Sequence, residues 1–271
     1  MVSDSLELAR QIRINVLKMV HSANASHVGS CFSITDCIAV LYNGILNIRP
    51  CTPDWENRDR MILSKGHSCA AVYAALALKG FFSLEELESY GKDGARLMAH
   101  ISHKVPGVEF STGSLGHGLP FAVGKAFAGK KQCSEWKVYT VLSDGEMDEG
   151  SNWEALMFSA HHKLDNLVAI IDYNKLQSLT TVADTLGLEP LGAKLKAFGW
   201  SVQEVNGHDH EQLSQALTTV PWEAGKPSIL IAHTTKGKGV SFMENKVEWH
   251  YKSPNVEQLA LALAELEDVY A

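Results

Sequence analysis

The sequence predicts an α/β fold with a mostly parallel central sheet and helices on both faces of the sheet. In the second half of the chain, short and continuously apolar runs alternate with segments of helical periodicity. Strands that are apolar throughout indicate a parallel sheet covered on both sides, as βαβ units produce. The 271 residues, of which 45% are hydrophobic and 20% charged, are enough for a substantial core.

Each predicted element follows from the local apolar pattern and from capping residues. A period near 3.6 residues predicts helices, and continuous apolar runs predict buried strands. Ser33 or Thr35 is a candidate cap for the second helix, and Ser83 with Glu86 has the spacing of a capping box. The predicted elements are, in chain order, a helix over 4–21, the second helix through ITDCIAVLYNGIL, a strand over 61–64, a helix over 68–80, a helix from residue 83, a strand over 138–142, a helix over 148–162, a strand over 167–172, a helix over 191–198, a strand over 200–205, a helix over 210–219, a strand over 228–232 and a last helix ending at Ala271.

The chain shows no internal repeat, low-complexity segment or linker rich in Pro, Gly and Ser. Residues 1–271 are therefore expected to form a single domain. The formal charge of −7 and the lack of any run of five Lys and Arg residues argue against nucleic acid as the main partner, and against an acidic membrane surface.

The sequence also carries signals of cellular location. We expect no apolar stretch of the roughly 18 residues that a membrane span requires. The N-terminus lacks the apolar core of a secretory signal. The five cysteines are odd in number and scattered, which is typical of free thiols in a reducing compartment. A cytoplasmic location is therefore expected.

Polar residues follow two predicted strands at the sheet edge where such folds bind ligands. Asp144 and Gly145 come after VYTVL, and Asn174 lies 30 residues beyond Asp144, about one βαβ turn away. Carboxylate and amide oxygens suit Mg²⁺ or Ca²⁺, and Gly145 lets a phosphate approach the backbone. The alternative is that Asp144 caps a helix and Asn174 makes a turn.

Five separated segments combine acids, glycines and histidines in a distinctive order. The first pairs SDGEMDEGSNWEA with NLVAIIDYNKLQ, at the two strand ends. The others are HSANASHVGS with His27, LSKGHSCAAVYAAL with His67, MAHISHKVPGVEFSTGSLGHGL with His100 and the loop 113–118, and GKGVSFMENKVEWHYK with His250. Together, over nearly the whole chain, they resemble the diphosphate-binding domain of transketolases. The resemblance implies a thiamine diphosphate-binding fold.

The chain departs from the family pattern at two motif positions and in length. Ser26-His27-Val28-Gly29 stands where the family usually has Gly-His-Pro-Gly, and Ser143 stands where it has Gly. The ligand-bearing residue is kept in both motifs. The pyrimidine-binding and C-terminal domains of full transketolases have no counterpart here. The chain therefore resembles the N-terminal subunit of a split transketolase, whose partner is expected to have on the order of 300 residues.

The resemblance assigns the cofactor and metal sites. It implies that Mg²⁺, with Ca²⁺ as a possible substitute, is held by Asp144, Asn174 and the backbone carbonyl of Leu176. Gly145 admits the diphosphate, and His67 and His250 donate hydrogen bonds to it. For His250 the alternative is an ordinary surface residue. Further candidate cofactor contacts are Gly113, Ser114, Leu115, Gly116, Glu146 and Asn174.

Two histidines are candidate catalytic residues by the same resemblance. His27 and His100 would reach the hydroxyls of the donor sugar, shuttle protons and stabilise a developing alkoxide. The alternative for each is a hydrogen-bonded structural histidine. His103 is the rival of His100, and the role of His117 in the glycine-rich loop is open. Five further histidines are expected to be structural or at the surface: His21, His161, His162, His208 and His210.

The acids after the second-half strand VYTVL divide into two groups. Glu149 and Glu154 match family glutamates that line a tunnel between paired active sites, and they are counted as candidate catalytic residues. The alternative is that both are acids in a first helical turn, where the helix dipole favours them. Glu146 and Asp148 carry no such match and are expected to face solvent.

The resemblance implies a transketolase-type transferase that moves a two-carbon ketol unit from a ketose to an aldose, both optionally phosphorylated. The partner subunit, in a dimer of heterodimers (α2β2), would supply the pyrimidine-binding domain, the activating glutamate and the phosphate-binding arginines. One alternative is the α subunit of a 2-oxo acid dehydrogenase, although those subunits lack this histidine set. Another is a non-catalytic scaffold subunit, against which the intact Asp144, Gly145 and Asn174 argue.

Overall fold

The central feature of the fold is a sheet of parallel strands in the order β1-β2-β3-β5-β4, seen in a computed structural model that describes residues 2–268. The sheet confirms the predicted α/β class. The strands of the described chain are β1 (Arg60–Leu63), β2 (Val138–Ser143), β3 (Leu167–Tyr173), β4 (Ser201–Asn206) and β5 (Ser228–His233).

Helices pack on both faces of this sheet. Short turns of 3₁₀ helix occur at Gly66–Ser68, Leu84–Ser89, Gly145–Asp148 and Val247–His250. The α-helices of the described chain are α1 (Val2–Ser22), α2 (Val28–Val40), α3 (Cys69–Leu78), α4 (Gly118–Lys131), α5 (Gly150–His161), α6 (Val182–Thr185), α7 (Leu191–Ala197), α8 (His210–Thr218) and α9 (Val256–Asp268).

The buried strands divide their side chains between two apolar cores. Val141 and Ile170 face the core formed with α1, α2 and α3, whereas Leu142 and Ile171 face the core formed with α4 and α5. This alternation has the two-residue period of a strand, and both faces are dry. That is why β2 and β3 are buried along their whole length and are composed mainly of apolar residues, as the sequence predicted.

The predicted start of α2 is wrong. The helix begins at Val28, directly after His27, which adopts a left-handed backbone conformation with φ 76°. Ser33 and Thr35 therefore lie inside the helix. The Thr35 hydroxyl donates to the Cys31 carbonyl, and the Ser33 hydroxyl lies 3.1 Å from the Ser30 carbonyl. The sequence shows no cap at His27, because histidine is not among the residues preferred at an N-cap.

The capping box predicted at Ser83 is also absent. Leu84–Ser89 is a short 3₁₀ turn with no side-chain cap from Ser83. Glu86 instead pairs with the guanidinium of Arg96, at 2.6 Å from Glu86 Oε2 to Arg96 Nη2. The last predicted helix is α9, and its predicted end at Ala271 lies outside the described residues.

The expectation that no apolar stretch is long enough for a membrane span is wrong. Residues Val28–Ile45 form one helical segment of 18 residues, α2 and a wider π-type turn, that is long and apolar enough to qualify. However, 83% of this segment is buried inside the structure. It is packed as a core helix against α1 and α3.

A matched pair of glycines in α4 tests the packing of the second core. A Cβ added at Gly129 would overlap the ring of Trp136, whereas one added at Gly124 meets nothing within 4 Å. We expect Gly124→Ala to stabilise the protein by about 0.5–1 kcal/mol through helix propensity. Gly129→Ala should destabilise it by about 1–3 kcal/mol through overpacking. Urea unfolding measures both, and equal shifts for the two variants would contradict this packing.

Candidate functional site

The candidate site lies at the carboxyl edge of the sheet, in a cleft of about 260 Å³. Strands β2 and β3 pair so that Ser143 lies opposite Asp172, which brings Asp144 and Asn174 together as predicted. Most of the predicted histidines converge here from distant parts of the chain. The cleft is lined by, among others, His27, Lys65, His67, His100, Gly113, Leu115, Asp144, Gly145, Asn174, Leu176, Gln177, Lys236 and His250.

Asp144 carries a buried carboxyl group, whose ionised form a nearby positive charge would stabilise. It is 2% exposed, and burial, with the nearby charge of Asp172, raises its pKa to about 7. Backbone N–H groups partly oppose that rise. Oδ1 accepts from Gly145 at 2.8 Å and Oδ2 accepts from Lys175 at 2.5 Å. A bound cation would favour the ionised form of this carboxyl group.

Both structural alternatives for the strand-end residues also occur. Asp144 caps the turn Gly145–Asp148, and Asn174 Oδ1 accepts from the Leu176 N–H at 3.1 Å. Each of these oxygens keeps a further lone pair. Among the described residues, no group of three or more His, Cys, Asp and Glu is arranged to hold a metal. The predicted site does not need one, because it uses a single carboxylate, an amide and a carbonyl.

Lys236 is a site residue that the sequence analysis missed. Its ammonium group donates to the carbonyls of Leu176, at 3.2 Å, and Gln177, at 2.9 Å. It also lies 3.0 Å from His250 Nδ1. Burial, followed by the charge of Lys65, lowers the Lys236 pKa to about 8. A lysine therefore already contacts the carbonyl that was assigned to the metal.

Lys65 is a second lysine of the cleft that was not predicted from the sequence. Lys65 is 1% exposed and forms an ion pair with Asp172, which is fully buried. The Lys65 ammonium also donates to the Ser30 carbonyl at 3.1 Å. Asp172 further accepts hydrogen bonds from the hydroxyls of Ser33, at 2.5 Å, and Thr234. The signal that could have revealed Lys65 is its position directly before Gly66-His67 in a motif.

Four histidines form a cluster, with His27 at its centre. The ring centroid of His27 lies 5.2 Å from that of His67, 5.1 Å from that of His250 and 5.7 Å from that of His100. The backbone N–H of His27 donates to the His250 carbonyl at 2.8 Å. The first and last motifs are therefore joined directly.

These histidines are uncharged near neutral pH. Burial first, then the charge of His100 and of the two lysines, lowers the His27 pKa to about 4. Burial and Lys236 lower the His250 pKa to about 3. The pKa of His67 is held well below its usual range, and burial lowers that of His100. Each neutral ring offers one N–H donor and one acceptor nitrogen.

The structure separates the two rival histidines of the third motif. His100 lines the cleft, whereas His103 is exposed and its Nδ1 lies 2.7 Å from the Ser111 hydroxyl. The geometry therefore favours His100, although its catalytic role stays a prediction. His117 is exposed, and its Nδ1 lies 3.0 Å from the Leu115 carbonyl.

The prediction that Glu146 faces solvent is wrong. Its side chain is 0% exposed, and it accepts hydrogen bonds from the Ser64 hydroxyl and, at 2.9 Å, from the Gly116 N–H. Through the Gly116 N–H, Glu146 holds the glycine-rich loop 113–118 in position. A contact between Glu146 and the cofactor stays a prediction, as do those of Ser114 and Gly116. The sequence alone does not reveal that the turn Gly145–Asp148 directs the Glu146 side chain into the protein interior.

The other acids after β2 behave differently. Glu149 and Glu154 are exposed, so the described chain alone does not bury them. Their tunnel role stays a prediction. Asp148 is partly buried and accepts from Gln177 Nε2 at 2.9 Å. A Cβ added at Gly145 would lie 3.0 Å from the Gln177 side chain. The close approach of Gln177 to this backbone therefore requires a residue without a side chain.

The histidine cluster generates a pH prediction. We expect the ring resonances of His27 and His250 to titrate at about pH 4 and 3, because burial disfavours the charged imidazolium. A depressed histidine pKa lowers the free energy of unfolding as pH falls below about 6.5, because the unfolded chain then binds more protons. Protonation of Asp144 below about pH 7 acts in the opposite direction. NMR titration of the individual rings checks this, and midpoints above pH 6 would contradict it.

Known families and proteins resemble the chain over most of its length. Residues 5–263 match the family described as "Transketolase, thiamine diphosphate binding domain". An apulose-4-phosphate transketolase subunit of Phocaeicola vulgatus is 41% identical, over 98% of this chain and 95% of that protein. The 6-deoxy-6-sulfo-D-fructose transketolase subunit SqwG of a Clostridium species is 41% identical, over 96% of this chain and 94% of that protein.

Solved structures agree with the sequence matches. Transketolase from Leishmania mexicana superposes with a TM-score of 0.91 at 30% identity, over 97% of this chain and 41% of that one. Transketolase from Campylobacter jejuni gives a TM-score of 0.91 at 31% identity, over 98% of this chain and 42% of that one. The chain therefore spans about two fifths of these solved transketolases. By its fold, its motifs and these relatives, the chain belongs to the transketolase family, through the thiamine diphosphate-binding domain of that family.

Proposed function

We propose that the chain is the N-terminal, single-domain subunit of a transketolase divided between two polypeptides. The observation that carries this proposal is the buried carboxylate of Asp144 beside Asn174, facing two lysines and four neutral histidines in one cleft. The names of two relatives support the division, because each is called a transketolase subunit and is covered almost completely by this chain.

The described residues fit a metal-bound diphosphate. Asp144, Asn174 and the Leu176 carbonyl offer only hard oxygen ligands, which suit Mg²⁺ and accept Ca²⁺ as a substitute. Gly145 has no Cβ, so other groups can approach its backbone closely, as the Gln177 side chain does. Lys236 would share the Leu176 carbonyl with the metal and lend a positive charge to the phosphates. The high pKa of Asp144 fits a carboxylate whose counter-ion is a bound cation.

The roles of the chain's own residues follow from their protonation states. Thiamine diphosphate, when bound, supplies an electron sink for the carbanion left by cleavage of a ketose C–C bond. His67 and His250, being neutral, would donate an N–H to the diphosphate oxygens. His27 and His100 would hold the sugar hydroxyls, and each can accept a proton on its free ring nitrogen.

The partner is proposed to complete the site. We expect it to carry the pyrimidine-binding domain and the groups that hold a sugar phosphate. The exposed Glu149 and Glu154 support an assembly that covers helix α5, as an α2β2 arrangement with a tunnel would. The two relatives named above act, by their names, on different sugars at the same 41% identity. The sugar of this enzyme is therefore left at the level of a ketose or ketose phosphate.

We also propose that the protein works in the cytoplasm. All five cysteines are free, and Cys31, Cys37 and Cys69 are buried thiols. Reduced thiols in this number are typical of a reducing compartment.

A substitution at the metal site tests the cofactor assignment. We expect Asp144→Asn to weaken Mg²⁺-dependent binding of thiamine diphosphate by at least tenfold, because a charged ligand is lost. Isothermal titration calorimetry of the chain together with its partner measures this affinity. Asp93→Asn, at an exposed position away from the cleft, is the matched control. Unchanged binding by Asp144→Asn, or no Mg²⁺ dependence at all, would favour the scaffold alternative.

A second test concerns the division of labour between the two polypeptides. We expect the purified chain to show no ketol transfer alone and to gain it when the C-terminal subunit is added, because the activating groups lie on the partner. Release of an aldose phosphate from a ketose phosphate is the assay, and pyruvate decarboxylation is measured in parallel. Ketol transfer by the chain alone would refute the division, and decarboxylation without ketol transfer would favour a 2-oxo acid dehydrogenase.

A further inference from the structure

The loop that carries Lys236 is held from behind by a buried polar cluster outside the cleft. We define the Lys236 loop as residues 234–239, directly after β5. The centre of the cluster is Asp36 in α2, which is 4% exposed. Both terminal nitrogens of Arg13, in α1, donate hydrogen bonds to the Asp36 carboxylate, at 2.9 and 2.7 Å. Arg13 Nε also donates to the Lys238 carbonyl at 2.9 Å, so one arm of the cluster reaches the loop.

His208 forms the second arm. Its Nδ1 lies 2.6 Å from Asp36 Oδ2, and its Nε2 accepts the backbone N–H of Thr235 at 2.8 Å. A nitrogen that accepts from a backbone N–H carries no proton of its own. The proton of the neutral ring must therefore lie on Nδ1 and be donated to Asp36. This contact fixes the tautomer of His208 as well as the position of the residue before Lys236.

The segment around His208 is built for close contact with the Lys236 loop. The His208 N–H donates to Asn206 Oδ1 at 3.0 Å, which forms a tight turn. A Cβ added at Gly207 would lie 2.5 Å from the Thr234 side chain. The absence of a side chain at Gly207 lets the two loops touch, and His208 then bonds to the next residue along.

We propose that His208 is a positioning residue, which holds the Lys236 loop in register by accepting the Thr235 amide and thereby presents Lys236 to the cofactor diphosphate. The loop contact is independent of the cofactor, whereas the effect on the diphosphate rests on the proposed function.

The Asp36 carboxylate is shared by several partners. Burial would raise the Asp36 pKa, but Arg13 and the two histidine contacts outweigh burial and hold that pKa well below its usual range. Arg13 stays charged. His210 contacts Asp36 Oδ1 at 3.1 Å and the Ser5 hydroxyl at 2.8 Å. Asp36 is therefore ionised and can accept the Nδ1–H of His208.

Two substitutions separate the contacts of His208. Glutamine can place its Oε1 near the position of Nε2 and accept from Thr235, and it does not titrate. Asparagine can donate to Asp36 but is too short to reach Thr235. We therefore expect His208→Asn to release the loop and His208→Gln to keep it. His161→Asn, at the exposed end of α5, is the control.

Hydrogen exchange of the cofactor-free chain tests the contact directly. Protection in residues 234–239 should fall about tenfold in His208→Asn and stay near wild type in His208→Gln. Equal protection in all variants, or loss spread over the whole core, would overturn the proposal.

Calorimetry with thiamine diphosphate and Mg²⁺, on the chain with its partner, tests the consequence for the site. His208→Asn should bind roughly tenfold more weakly, and His208→Gln should restore most of the affinity. Loop release without a change in affinity would overturn the role toward the diphosphate. Failure of the wild type itself to bind would refute the proposed function and leave the loop contact to be judged by exchange alone.

Discussion

The buried ion pair between Lys65 and Asp172 is the interaction on which the architecture of the site depends. It joins the end of β1 to the end of β3 across β2, in a region with almost no solvent. Burial would raise the Asp172 pKa, but Lys65 and the hydroxyls around it keep the carboxyl ionised. Removing one partner from a pair of this kind typically costs about 3–5 kcal/mol, because the other charge is left uncompensated. Helix α2 is tied to the same carboxylate through Ser33.

The distribution of charge among the side chains of the cleft favours the binding of an anion. Two buried ammonium groups face it, and its four histidines are kept neutral partly by those same positive charges. The neutral rings can then serve as directional donors and proton acceptors, while the lysines carry the positive charge. Division of these roles between residue types explains how a chain with a formal charge of −7 can hold a diphosphate.

The sequence was informative where local chemistry decides the structure. The parallel strands, and the meeting of Asp144 with Asn174, follow from apolar runs and their spacing. The start of α2 and the inward turn of Glu146 could not be predicted, because each depends on contacts with residues far along the chain. Lys65 and Lys236 were missed for a related reason. A buried lysine has no local signature, although both stand beside glycines within the motifs.

The bond between the His27 amide and the His250 carbonyl has a consequence for biosynthesis. The two residues lie far apart in the sequence, so the cleft can form only after the segment around His250 has been synthesised and has docked against His27. A nascent chain that stalls before this segment would lack one wall of the cleft.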